Sequence, residues 1–126
     1  MTAHLIRLKT RGDFLRVAAG RVRAVRTGLV LQAAPQPGDG NGTVRVGYTA
    51  SKRVGNAVAR NRAKRRLRAV AASVLPLHGK PGTDYVLIAR AGTGGRPYAE
   101  LLADLEGALR QMARPNTATA ARGGEG

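Results

Sequence analysis

The chain has 126 residues, 43% of them hydrophobic, which suits one domain with one modest core and leaves no room for a second of ordinary size. Its 22 Lys and Arg against seven Asp and Glu give a formal charge of +15 and a sequence pI of about 11.8, a balance that opposes compaction and points to a polyanionic partner. The lack of cysteine excludes disulfides, a thiolate nucleophile and Cys metal sites. No stretch approaches the roughly 18 to 20 apolar residues of a membrane span and no apolar signal core opens the chain, so the expectation is a cytoplasmic protein without membrane contact.

Residues 1 to 9 read as a short basic lead-in. Thr10-Arg11-Gly12-Asp13 is a variant of the capping box, so a short helix is predicted from Arg11 to Ala19, with Phe14, Val17 and Ala18 on its buried side and Gly20 as its stop. Arg21 to Arg26 is open to a short strand of its own. Leu29, Leu31 and Ala33 alternate with Val30 and Gln32, as a strand requires. The run from Pro35 to Gly42 is dense in turn formers and reads as an exposed loop. Thr43 to Ala50 alternates again, with Val44, Val46, Tyr48 and Ala50 on one face and Arg45, Gly47 and Thr49 on the other.

Asn56 is a good N-cap, and Ala63, Leu67, Val70, Ala71, Val74 and Leu75 recur at helical spacing until Pro76, predicting a long amphipathic helix. Tyr85 to Ala89 is an uninterrupted apolar run that fits a strand covered on both faces and central in its sheet. Pro97 can start a helix whose Leu101, Leu102, Leu105, Ala108, Leu109 and Met112 form a stripe, with Pro115 as its stop. The small polar residues after Pro115 predict a disordered tail, so the domain is expected to span 1–114. One helix, two or three strands, then helix, strand and helix argue for an α+β sandwich of a small sheet against helices.

The informative segment runs from Ser51 to Arg68. Eight of its 18 residues are basic, and no acid lies between Asp39 and Asp84. At 100° per residue Arg62, Arg65 and Arg66 lie opposite Leu67, flanked by Asn61 and Arg68. Arg60 falls toward the apolar stripe and either extends past the core edge or snorkels. Like charges at these spacings repel by a few tenths of a kcal/mol per pair, so an ordinary solvated face is a poor account of them. Arginine forks and the free N–H groups at a helix start both suit phosphate.

Gly47-Tyr48-Thr49-Ala50-Ser51-Lys52-Arg53-Val54-Gly55-Asn56-Ala57-Val58, then Arg60-Asn61-Arg62 and Lys64-Arg65-Arg66-Leu67-Arg68, closely resembles the signature of the bacterial ribonuclease P protein family. Asp13-Phe14, Leu29-Val30-Leu31 and Asp84-Tyr85-Val86 agree in order, and the resemblance spans roughly Leu8 to Met112. It implies an α+β two-layer sandwich in the order αβββαβα, with a central sheet of about four strands and a left-handed βαβ crossover. It also implies an endoribonuclease subunit that binds ribonuclease P RNA and the 5′ leader of precursor tRNA. The catalytic centre and its magnesium would belong to the RNA, with no cofactor bound by the chain itself and no small-molecule substrate.

Carried over residue by residue, Lys52, Arg53, Asn56, Arg60, Asn61, Arg62, Lys64, Arg65, Arg66 and Arg68 would contact RNA. Phe14, Val30, Gln32 and Thr49 would line a cleft for the leader. The chain departs from the family at Ala18 and Gln32, where aromatics are common, so stacking, worth roughly 1 to 3 kcal/mol per base, would give way to hydrogen bonds or charge.

The rival reading from the residues is a basic RNA-binding module, such as a ribosomal protein, with no part in tRNA cleavage. A protein-only nuclease is disfavoured: His4 and His78 are isolated, Asp13, Glu100, Asp104 and Glu106 read as helix-terminal or surface carboxylates, and no metal-site spacing is present. Gly92, Gly94 and Gly95 lack the Lys-Ser/Thr of a phosphate loop and read as a turn. Tyr85 is expected in the core, Tyr48 in either role, and Gly55 in a tight turn before the basic helix.

Overall fold

The computed structural model describes residues 4–20, 22–37 and 43–113. Five strands, β1 (His4–Arg7), β2 (Val22–Val25), β3 (Leu29–Pro35), β4 (Thr43–Thr49) and β5 (Thr83–Ala89), combine with helices α1 (Arg11–Ala19), α2 (Ala57–His78) and α3 (Tyr98–Ala113). The sheet order is β1-β4-β5-β3-β2, parallel across β1, β4 and β5 and antiparallel across β5, β3 and β2. No helix among the described residues is long and apolar enough to cross a membrane.

The α+β architecture is the one expected, with one strand more than the four anticipated. His4–Arg7, taken as a lead-in, pairs with β4 from His4↔Thr43 to Arg7↔Val46. Four residues ending in a charge carry no strand signal of their own; the free edge of β4 supplies it. Residues 38–42 of the predicted loop and the tail expected after Pro115 lie outside the described residues, while Pro35 closes β3 rather than opening the loop.

Alternation along the strands divides the molecule into two cores. Leu29, Leu31 and Ala33 of β3, Val44 and Val46 of β4, and Tyr85, Leu87 and Ala89 of β5 face α2 and α3. From the helices come Leu67, Val70, Val74, Leu75, Leu101 and Leu105, each buried and each contributing roughly 1.5 to 3 kcal/mol of apolar transfer. The opposite face is covered in part by α1, where Val17 packs with Leu8, Ala34 and Val86, and Phe14 and Ile88 border them. The sheet and the α2–α3 pair are thus the two main layers, and α1 adds a partial third.

Thr10 caps α1 as the sequence predicts: its hydroxyl accepts the Asp13 N–H at 3.2 Å and donates to Asp13 Oδ2 at 2.8 Å. Val17 is fully buried and Phe14 half-buried, but Ala18 is exposed, since α1 turns only a narrow stripe to the sheet. Pro76 does not end α2. Near the C-terminus the missing N–H of Pro76 costs only the bond to the Ala72 carbonyl, and the helix continues until the Gly79 N–H closes it on the Leu75 carbonyl at 2.8 Å.

Asp104, expected on the polar side of α3, is instead buried against Arg96, with contacts of 2.6 and 3.2 Å. Gly28 opens the space: a Cβ there would overlap the Asp104 carboxylate and Leu101.

Candidate nucleic-acid interface

The entry to α2 is fixed by three local devices. Ser51 Oγ accepts the Arg53 N–H at 3.3 Å and caps a 3-10 turn over Lys52–Val54. Gly55 then takes φ 141° and ψ −156°, a conformation L-residues rarely adopt, where a Cβ would also press on Ala59. Asn56 Oδ1 accepts the Ala59 N–H at 2.9 Å and starts the helix. Gly55→Ala is therefore expected to cost about 1 to 3 kcal/mol, read as a lower urea midpoint, and to weaken RNA binding further by re-aiming the basic face.

The predicted binding residues fall into two groups. Lys52, Arg53, Asn61, Arg62 and Arg65 are exposed and Lys64 is half-buried; among the described residues none of these side chains makes a hydrogen bond or ion pair with the protein. They line the solvent side of the 3-10 turn and the first half of α2, with Asn61, Arg62 and Arg65 turned away from buried Leu67 and Lys64 flanking it. The others are engaged. Arg60 neither extends nor snorkels freely but donates from Nη1 to the Gly55 carbonyl at 2.9 Å. Arg66 Nη1 donates to the carbonyls of Thr93 and Gly94 at 3.0 and 2.9 Å, tying α2 to the turn after β5. Arg68 lies over the Tyr48 ring at 5.6 Å, and the Asn56 carbonyl oxygen is occupied by its cap. These four hold the face in place as well as adding to it.

The four predicted cleft residues share the α1 face of the sheet. Val30, Ile88 and Thr49 are aligned across β3, β5 and β4, and Gln32, Val86 and Gly47 form the next row. Phe14 lies over that second row: a Cβ on Gly47 would overlap its ring. Because α1 packs over the rows nearer Ala34 and Val86, the Val30–Ile88–Thr49 row lies beside it with Thr49 and Ile88 half-buried, and this strip along α1 is the notch. Val30 is only 8% exposed, so Phe14, Gln32 and Thr49 supply most of that surface.

A buried ion network, unread in the sequence, holds α1 on this face. Asp84 is 0% exposed and accepts from Arg45 Nε at 2.7 Å and Nη2 at 2.6 Å, with Arg16 Nη2 on the same carboxylate. Arg16 also reaches Asp13 at 3.3 Å and the Pro35 carbonyl at 2.9 Å. Hydrogen bonding to Asp84 raises the Arg45 pKa, and the Thr10 hydroxyl, followed by Arg16 and Arg45, holds the Asp13 carboxyl below its usual range. The available signal was Asp84 itself, a lone acid entering an apolar run.

Among the described residues no group of three or more His, Cys, Asp or Glu side chains is placed to hold a metal ion. What the arrangement offers chemically is a one-signed array of free guanidinium and ammonium groups on a rigid helix on one side of the sheet, and a notch edged by one aromatic ring on the other.

Comparison with known proteins identifies the family. The family described as Ribonuclease P matches residues 3–113. The ribonuclease P protein component of Paramagnetospirillum magneticum is 54% identical over 114 residues, covering 89% of this chain and 86% of the relative. That of Caulobacter vibrioides is 52% identical over 107 residues, covering 85% and 70%. The solved RNase P protein of Staphylococcus aureus superposes with a TM-score of 0.69 at 25% identity, covering 85% of this chain and 94% of its own. With a family match over nearly the whole described chain, two relatives above half identity and the same fold, this chain belongs to the ribonuclease P protein component family, the protein subunits of a tRNA-processing ribonucleoprotein.

Proposed function

We propose that this subunit acts in the cytoplasm by docking the basic face of α2 on ribonuclease P RNA while its α1 notch receives the 5′ leader of precursor tRNA. Hydrolysis and its magnesium ions are assigned to the RNA. The protein screens phosphate repulsion between the two RNAs and sets the leader's direction, leaving a mature tRNA 5′ end. The observation that carries this reading is the free, one-signed array of Lys52, Arg53, Arg62, Lys64 and Arg65 on rigid helical backbone. Mixed charges would suit a solvated surface; an array with no acid near it stores repulsion that phosphate relieves.

The RNA contacts assigned are Lys52, Arg53, Asn61, Arg62, Lys64, Arg65 and Arg68, with Asn56 fixing the helix start and Arg60 and Arg66 fixing the helix and lending charge. Phe14, Gln32 and Thr49 face the leader, and Val30 forms the floor. With Gln32 and Ala18 in place of aromatics, Phe14 alone offers a ring within the notch, and the Gln32 amide offers hydrogen bonds to base edges. The test is cleavage of 5′-labelled precursor tRNA at low magnesium by ribonuclease P RNA with and without this protein. Restored cutting at the mature 5′ end is expected. Binding of the RNA without any gain in cleavage overturns the assignment in favour of a plain RNA-binding module, and cleavage by the protein alone overturns the placing of chemistry in the RNA.

A further inference from the structure

The basic face of α2 and the α1 notch lie on opposite sides of the sheet, and the β1 edge separates them. A groove of 370 Å³ opens at that edge, lined by Arg7, Leu8, Lys9, Phe14 and Tyr48. Leu8 is buried and forms its floor, Arg7 and Lys9 are exposed, and the two rings are half-buried. Gly47 lets Phe14 lie against β4 from the notch side, while Arg68 over the Tyr48 ring joins the other end to α2. Both surfaces therefore meet in this groove.

Its chemistry is selective. Two cations supply phosphate contacts, two aromatic side chains supply π-surface or edges for a base, and no carboxylate is among its lining residues. Asp13, the acid nearest along α1, is held by Thr10, Arg16 and Arg45. Arg68 lies over the Tyr48 ring and Arg7 lines the same groove; burial pushes the phenol up, and the charges of both arginines push it back. A volume at the small end of ligand sites, about 300 to 1,000 Å³, suits a single nucleotide better than a folded element.

We propose that this groove is a further nucleotide subsite, in which Arg7 and Lys9 take the backbone of an RNA strand and Tyr48 and Phe14 flank one base as the strand passes around the β1 edge. The inference rests on the proposed RNA interface and adds a path between its two parts. The strand could come from the leader or from the catalytic RNA; the chemistry is the same, and the experiment separates them.

The variant is Arg7→Gln with Lys9→Gln, two exposed positions whose loss leaves the core intact. Affinity is measured for ribonuclease P RNA, and then, with the holoenzyme, for precursor tRNA and for mature tRNA lacking a leader. In parallel, 5-iodouridine is placed at successive leader positions and irradiated. Expected is a loss of about tenfold and, where the strand is the leader, photocrosslinks to Tyr48. A loss confined to precursor tRNA assigns the strand to the leader, and a loss in assembly that is equal for both tRNAs assigns it to the catalytic RNA. Affinities within twofold of the parent for every RNA, with no crosslink to Tyr48, overturn the subsite whether or not Phe14 is crosslinked. Stimulation of cleavage by the unaltered protein in the same reactions reports separately on the proposed function.

Discussion

Replacing Arg53, Arg62 and Arg65 together with glutamate is expected to weaken assembly with ribonuclease P RNA by about 10²- to 10⁴-fold and to abolish holoenzyme cleavage at low magnesium, with the fold intact. All three are exposed, and among the described residues none is bonded to the protein, so reversal removes no internal contact. Each exposed cation–phosphate pair is worth on the order of 1 kcal/mol, and reversal adds repulsion of similar size, which over three sites gives the stated range. The slope of log affinity against log salt should become shallower by about 2 to 3, since each phosphate neutralised contributes roughly 0.7 to 0.9. Raising magnesium should recover part of the activity, because a divalent counterion replaces the lost screening. A folded variant, by circular dichroism and urea titration, that assembles and cleaves normally would refute the placing of the RNA on α2. Arg66 is left out deliberately: with its Nη1 shared between the Thr93 and Gly94 carbonyls, its substitution would lower stability and binding together.

Asp84→Ala is expected to produce the largest loss of stability among single polar substitutions, about 2 to 3 kcal/mol. A fully buried carboxylate that accepts three arginine nitrogens leaves, on removal, two guanidinium groups facing an apolar void. Breaking a wholly buried pair costs about 3 to 5 kcal/mol. Here Arg16 and Arg45 keep side-chain exposures of 31% and 27%, so water recovers part of that cost. The damage should centre on α1, whose Arg16 is its polar anchor to β5. Amide exchange in residues 11 to 19 should therefore accelerate more than in β3 or β5, and leader-dependent affinity should fall while assembly with the RNA changes little. A urea midpoint unchanged from the parent would contradict the role given to Asp84.

Much of this was legible in the sequence because it is periodic and local. The stripe Ala63, Leu67, Val70, Ala71, Val74 and Leu75 is the buried face of α2, and the run Tyr85 to Ala89 is in the middle strand of the sheet. The caps at Thr10 and Asn56 act within three residues of themselves, so their bonds follow from spacing alone. The charge of the α2 face was equally readable, since helical angles place Arg62 and Arg65 away from Leu67 whatever the helix packs against. Where a residue's partner is distant in sequence, spacing is silent. Arg66 shares the exposed side by angle, yet it reaches carbonyls 27 and 28 residues away.

The sequence by itself therefore determined the α+β class, the three helices, the strands β3, β4 and β5, and the basic, RNA-directed character of α2, because periodicity, capping and charge runs are properties of short segments. Only the tertiary structure decided which cations remain free, that His4–Arg7 adds a strand to β4, that Asp84 is an anchor between Arg16 and Arg45, and that Arg7, Lys9, Phe14 and Tyr48 converge at one sheet edge. The reason is that strand order and long-range pairing bring together groups as distant in sequence as Arg16 and Asp84, 68 residues apart, and no local spacing encodes that meeting.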